Sequence, residues 1–414
     1  MKLRGMALAL LLVLSLVPSL PAESKPNAAD LFASDTVNKI TISISGASAQ
    51  KLGRAPKTDV PATFNITGKG FKFQNMPVGI HLKGTSTLKA NPSIVNNRPS
   101  LRVKFKPDGV FKLPFLGSLK SLTLNAMTQD ESKIHEYSAY TLYNAMGVPA
   151  PRVSYASVTV VIDGRKYPKG LFAIIEPYED AFLSERFETQ TQHVYEPCGH
   201  WIDITRPGAG RGGKECTNSL FEVKEGWKST PNKNDLKALI AAQKTDDNKQ
   251  WWINLDRYFD RDALLRMWAV DNFIGAWDSY SGAIINNYYL RSDRMGVFTM
   301  MPTGTDETFV YNFAMDARSI GYPLIYDNFQ IQSKNRGYLF SRCLTYKPCR
   351  NQYLDQLKVV SQTAKDIKLT KTMQAASDLI AEYAPNSAWA GKAAQNWVNG
   401  KHDQVTTLLR KYGR

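Results

Sequence analysis

The chain has 414 residues, 43% of them hydrophobic and 21% charged. These proportions exclude a fibrous or disordered protein and leave room for one large domain or two modest ones. Its formal net charge of +15 favours acidic partners, such as an acidic protein substrate or surface partner. Nucleic-acid binding is not indicated, because the charge is spread along the chain without a basic helix or a recognised binding motif.

At the N-terminus, Lys2 and Arg4 precede an apolar run from Ala7 to Val17, and Pro18 to Ala22 then breaks the helix before small residues. That layout predicts a signal peptide over residues 1–22, too short to span a bilayer, and hence a secreted, periplasmic or cell-surface protein. No later stretch is long and apolar enough to cross a membrane, so the mature chain is expected to lack a transmembrane segment. Export gives meaning to an even set of cysteines, Cys198, Cys216, Cys343 and Cys349, which predicts two disulfides. Three pairings can form, and the local one, Cys198 with Cys216 and Cys343 with Cys349, closes the shortest loops. A zinc site from Cys198, His200 and Cys216 lacks a fourth ligand at sensible spacing.

Residues 23–35 read as a flexible leader. From Thr36 the pattern becomes strand-like: Lys39-Ile-Thr-Ile-Ser-Ile-Ser, Ile80-His-Leu-Lys and Leu101-Arg-Val-Lys-Phe all alternate with period two. Arg98, Ser100, Arg102 and Lys104 therefore share one face, with Leu101, Val103 and Phe105 on the other. Leu122-Thr-Leu-Asn is a further short strand. A helix is expected from an N-cap at Asp130 to Gly147 and Pro149, followed by strands over 154–162 and 170–175 joined at Asp163-Gly164, a strong turn signal. Residues 176–234 look loop-rich. Helices dominate afterwards, at about 235–243, 260–275 and two or three between 352 and 411, interrupted by a hairpin of 287–291 with 297–301. The reading is an α+β chain with a strand-rich part over 36–175 and a mainly helical part over 176–414.

Gly208-Ala-Gly-Arg-Gly-Gly-Lys has the letters of a nucleotide loop, but no strand leads into it, no helix follows, and Glu215 stands where a phosphate loop needs Ser or Thr. The histidines show no paired metal spacing, and no Gly-x-Ser-x-Gly elbow supports a serine hydrolase. Plentiful aromatics suggest a carbohydrate enzyme only weakly, since Trp268 and Phe273 at helical spacing suit a core. The stretch 267–309 is more informative. A helix ends at Gly275, Asp278 follows in a polar loop, Asn286 and Asn287 open a hairpin, and the second strand runs into Pro302-Thr-Gly-Thr-Asp-Glu-Thr-Phe. Phosphoryl transfer needs a carboxylate at the acceptor hydroxyl, then an amide oxygen and a second carboxylate on magnesium, in that order.

Leu122-Thr-Leu-Asn, Asp130-x-Ser132, Gly147-Val-Pro-Ala-Pro-Arg, Gly170-Leu-Phe-Ala-Ile-Ile-Glu176 with Phe182-Leu, Trp277-Asp278, Asn287-Tyr-Tyr-Leu and the run 302–309 together resemble the CotH spore-coat kinase-like family. Their shared order from about residue 80 to 309 carries the resemblance. It implies a divergent bilobal protein-kinase-like fold that binds ATP and magnesium and phosphorylates hydroxyl side chains of a coat or surface protein. Asp278 would be the catalytic acid/base, and Asn287 and Asp306 the metal ligands. Arg98 or Lys104 would serve as the phosphate-binding cation, Glu136 would face that cation, and Glu176 would sit near the hinge. Two departures stand out. Arg98 occupies the place of the usual lysine, and Thr303-Gly304 replaces the Trp-Asp that carries the family's first metal carboxylate. A non-catalytic binding or surface-assembly protein on the same scaffold is the competing expectation.

Overall fold

The computed structural model describes residues 28–84, 88, 93–105, 119–199, 202–205, 220–226, 233–282, 284–310 and 336–414. The stretch 1–22 read as a signal peptide, His200, Cys216 and the Gly-rich run from Pro207 lie outside the described residues.

The α+β expectation holds, with 41% of residues helical and 27% in strands. Seven strands, β1 (Val37–Ile44), β2 (Val60–Gly68), β3 (Phe71–Lys83), β4 (Ser100–Lys104), β5 (Ser121–Asn125), β6 (Val153–Ile162) and β7 (Arg165–Ile175), close into a barrel in the order β1-β2-β3-β4-β5-β7-β6. Closure was not indicated by the sequence. It depends on β1 pairing with β6 in parallel, Ile40 opposite Val158, while every other neighbour in the barrel is antiparallel. The period-two reading of β4 is met. Leu101, Val103 and Phe105 are buried in the barrel core beside Ile42, Phe64, Leu122 and Phe172, and Ser100, Arg102 and Lys104 face outward. The β6–β7 turn uses Asp163 and Gly164, both at positive φ (47° and 83°), the requirement that makes Asp-Gly a hairpin signal. Within the expected leader, a helical turn α1 (Ala28–Leu31) places Leu31 and Phe32 in the barrel core, and the Leu31 carbonyl accepts from Ser154 Oγ at 2.7 Å. Helix α2 (Gly46–Arg54), capped by Ser45, follows β1.

Helix α3 (His135–Ala145) starts five residues after the expected cap. Lys133 sits at φ 62°, a left-handed conformation that cannot continue a helix, so Asp130 caps from a distance: its Oδ2 accepts from the His135 N–H at 2.8 Å. Although α3 interrupts the strand-rich part in sequence, Ala139, Tyr140, Leu142 and Tyr143 are buried in the larger helical core. There they join residues of α7 (Arg261–Ile274), α9 (Lys347–Asp366) and α10 (Leu369–Ile380). Before these lie α4 (Asp180–Arg186), α5 (Asn234–Ala242) and α6 (Asn248–Tyr258); α8 (Tyr338–Thr345) precedes α9, and α11 (Ala388–Lys411) ends the chain.

The loop-rich reading of 176–234 requires correction. Besides α4 it contains β8 (Thr191–Pro197) and β9 (Phe221–Gly226), which join the hairpin β10 (Tyr288–Asp293) and β11 (Phe298–Pro302) in a second sheet ordered β11-β10-β8-β9. Cys343 and Cys349 are disulfide-bonded across the α8–α9 junction. Cys198 is disulfide-bonded as well. Among the described residues no helix is long and apolar enough to cross a membrane.

One contact of α11 fixes where α7 ends. Trp397 Nε1 donates to the Phe273 carbonyl at 2.9 Å, and a Cβ at Gly275 would stand 2.4 Å from the Trp397 ring. Gly275, at φ 74°, thus turns the chain sharply under the tryptophan and delivers Asp278 to the loop beyond. One turn along α11, the Lys401 ammonium lies 4.4 Å from the centre of the Trp397 ring and is almost wholly buried, with Gln404 Oε1 as acceptor at 2.9 Å. Burial pulls its pKa down to about 7. A lysine charged in the unfolded chain up to its ordinary pKa but neutral in the fold above pH 7 destabilises fully below pH 7, and the penalty fades as pH rises toward 10.5. Lys401→Met should therefore stabilise the protein by roughly 2–4 kcal/mol at pH 6 and by almost nothing near pH 10. Thermal melts at the two pH values check this, and equal gains at both would show that charge burial is not the cause.

Candidate functional site

The site assembles where the C-terminal end of β3, the start of α3, the loop after α7 and the segment after β11 converge. Asp278 Oδ2 accepts from Asn287 Nδ2 at 2.9 Å and from Asn286 Nδ2 at 3.4 Å. Its other oxygen, Oδ1, is buried without a hydrogen-bond partner among the described residues. Burial, reinforced by the nearby charges of Glu307 and Asp306 and opposed by the asparagine amides, pushes the Asp278 carboxyl up to about 8.

Asn287 is at φ 48° and its side-chain N–H groups also donate to the Gly304 carbonyl at 3.0 Å. Gly304 explains the departure in the metal motif. It sits at φ 58°, and a Cβ there would stand 2.8 Å from Asn287 Cγ and Oδ1. The asparagine amide thus fills the space that a side chain at 304 needs. Gly304→Asp should cost about 2–4 kcal/mol from backbone strain and overpacking and should leave magnesium affinity no higher. A denaturant titration together with calorimetry tests both limbs, and a gain in affinity would show that the carboxylate can be restored.

Asp306 lies in the same segment. Burial and the Asp130 charge raise its pKa, opposed by Lys83 and His135. On α3, Glu136 is buried and its Oε2 accepts from Asn125 Nδ2 at 2.6 Å. Burial first, then Asp306, drives its pKa well up, with Lys83 and the Asn125 bond acting against. Glu307 is raised by burial and by Asp306. The site is therefore a set of carboxylates short of positive charge, the electrostatic condition that a bound cation relieves. Among the described residues no group of three or more His, Cys, Asp or Glu side chains is placed to hold a metal ion. Magnesium commonly takes one or two protein carboxylates and completes its shell with water and phosphate oxygens.

The other residues singled out from sequence are placed as follows. Arg98 precedes β4 with its guanidinium 4.8 Å from the centre of the Phe172 ring. Its Nε and Nη2 are buried without a hydrogen-bond partner among the described residues. Lys104 is farther along the outer face of β4 and donates to Asp59 Oδ2 at 2.8 Å, with His81 on the other oxygen of Asp59 at 2.7 Å. Glu176, fully buried at the end of β7, is bound by the Arg152 N–H at 3.0 Å and Nε at 3.1 Å, with Arg186 at 3.6 Å. Its carboxylate is a structural anchor between β6 and α4. The structure thus gathers Asp278, Asn287, Asp306 and Glu136 and sets Lys104 and Glu176 in ion pairs of their own.

Sequence reasoning missed Lys83, the last residue of β3, whose charge acts on both Glu136 and Asp306. The alternation of Ile80-His-Leu-Lys already put it on the outer face, beside Ser100 of β4. Ser100 Oγ donates to Asn125 Oδ1 at 3.2 Å, so β3, β4, β5 and α3 meet at one polar junction. His135 was missed too, and Asn125 was noted only as the end of Leu122-Thr-Leu-Asn, without a role.

The family described as CotH kinase protein matches residues 80–413. The chain belongs to this family, a class of kinase-like proteins. No curated protein matches the chain. Among solved structures it is similar to the Helicobacter pylori proinflammatory kinase CtkA, at 9% identity over 75% of this chain and 92% of that one, with a TM-score of 0.32. It is also similar to a Shewanella oneidensis MR-1 toxin–antitoxin complex of HipA, HipB and operator DNA, at 12% identity over 75% and 67% of the two chains, with a TM-score of 0.31. At these scores neither structure bears on the mechanism.

Proposed function

We propose that the protein is an exported kinase of the CotH family that binds ATP with magnesium and phosphorylates hydroxyl side chains of an acidic extracytoplasmic protein. In this reading the barrel and the helical part act as the two lobes of a kinase, with the nucleotide between them. The observation that carries the reading is Asp278: a carboxylate with one oxygen held by Asn287, the other unpartnered, and two further carboxylates nearby. Asp306 and the Asn287 oxygen would hold magnesium, which supplies charge neutralisation to the transferring phosphoryl group. The Arg98 donors, without a partner among the described residues, suit phosphate oxygens, because a guanidinium binds them through paired N–H groups. Lys83 would complement the same charge. Asp278 would accept the proton of the acceptor hydroxyl, for which it must first be ionised.

A second reading, a binding protein on the same scaffold, draws on Gly304, where the space for a second metal carboxylate is taken by Asn287. Calorimetry of the purified chain with ATP, with and without magnesium, separates the two. Magnesium-dependent binding sustains the kinase reading; no nucleotide binding under either condition moves the protein to the second.

A further inference from the structure

His135 is the first residue of α3, next to Glu136. Its backbone N–H donates to Asp130 Oδ2 at 2.8 Å. Its ring is buried, 5.8 Å from that of Phe309 between centroids. Nδ1 lies 2.8 Å from the carbonyl oxygen of Asp306 and 3.2 Å from Asp130 Oδ1. Both neighbours accept hydrogen bonds, so the environment assigns the proton to Nδ1. Asp130 is fixed in turn, because its Oδ1 accepts from the Ser132 N–H at 2.8 Å and from Ser132 Oγ at 2.6 Å.

The segment that bears Asp306 is tied down at both ends by other elements. The Thr303 N–H donates to the Asn287 carbonyl at 3.1 Å, Asn287 Nδ2 donates to the Gly304 carbonyl, and the Phe309 N–H donates to the Ile274 carbonyl at 2.7 Å. Between these ends, His135 grips Asp306 at its own carbonyl. We propose that His135 is a positioning residue that locks the Asp306 peptide to the first turn of α3, so that Glu136 and Asp306 hold one fixed separation. This rests on the reading of Asp306 as the metal carboxylate. A ligand held slack by even a fraction of an ångström loses affinity, and removal of such supporting partners typically costs about 10- to 100-fold.

The geometry names its own rescue. An asparagine side chain carries its amide nitrogen close to where histidine carries Nδ1, whereas glutamine reaches the place of Nε2. In the full chain, His135→Ala and His135→Gln should raise hydrogen exchange of the amides in 303–309 about tenfold without nucleotide. They should also weaken magnesium–ATP binding at least about tenfold at a temperature where every variant is folded. His135→Asn should stay within about threefold of the wild type in both measurements. A merely structural role would give all three variants the same loss in step with their melting temperatures, and that outcome overturns the proposal. Unchanged exchange in 303–309 for His135→Ala overturns it equally. Should the wild type bind no magnesium–ATP, the proposed function falls, while the exchange measurement still decides whether His135 holds Asp306.

Discussion

Asp306→Ala is expected to abolish magnesium-dependent nucleotide binding, with a loss of more than about 100-fold in affinity by calorimetry. The size of the effect follows from Gly304. With the Asn287 amide packed against that glycine, no second carboxylate can be recruited at 304, and Glu136 is engaged by Asn125. A pH signature should accompany binding in the wild type. Asp306 and Glu136 both have raised pKa values, and a divalent cation favours their ionised forms, so binding should release protons and strengthen with rising pH. Heats measured in two buffers of different ionisation enthalpy would reveal the release. Equal binding by Asp306→Ala and the wild type would remove Asp306 from the site.

Asp278→Asn is expected to lower phosphate transfer by roughly 100- to 10,000-fold while nucleotide affinity changes little. The amide keeps the shape of the carboxyl but cannot take a proton. The same substitution should alter stability in a pH-dependent way. The Asp278 carboxyl titrates near 8 in the fold against an ordinary value of about 3.9 in the unfolded chain. Its raised pKa therefore contributes stability that is fully present below pH 4 and is lost as pH rises through 8. The asparagine does not ionise, so the variant should melt higher than the wild type at pH 9 and not at pH 4. The gain should be a few kcal/mol at most, reduced because the amide N–H group placed at Oδ1 has no acceptor. Undiminished transfer by the variant would exclude Asp278 as the base, and equal melting differences at both pH values would exclude its burial as ionised carboxylate.

Much of this architecture is written locally. The period of two around Leu101–Phe105, the Asp-Gly turn and the end of α7 at Gly275, where φ is 74°, each depend on a few neighbouring residues, and each is found where the sequence puts it. Strands β8 and β9 were hidden because Thr191-Gln-His-Val-Tyr-Glu-Pro and Phe221-Glu-Val-Lys-Glu-Gly are largely polar and become strands through pairing with each other and with β10. The start of α3 was misjudged because the left-handed turn at Lys133 has no mark in composition. In the site, the chain order of Asp278, Asn287 and Asp306 was legible. Lys83 and His135 were not, since their meaning comes from partners far away in sequence: His135 meets Asp306 across 171 positions.

The parallel seam between β1 and β6 governs how the chain can fold. Asn38 Nδ2, on β1, donates to the Tyr155 carbonyl of β6 at 3.1 Å, a contact spanning 117 residues. Strands β2 to β5 can form as successive antiparallel neighbours, yet β1 keeps one unpaired edge until β6 and β7 exist. Joining such distant segments requires the entropy of a long loop to be lost before any contact compensates it, and topologies rich in distant pairings fold slowly. Barrel closure is therefore expected to be late and slow, and until it is complete the unpaired N–H and C=O groups along β1 stay open to any competing strand.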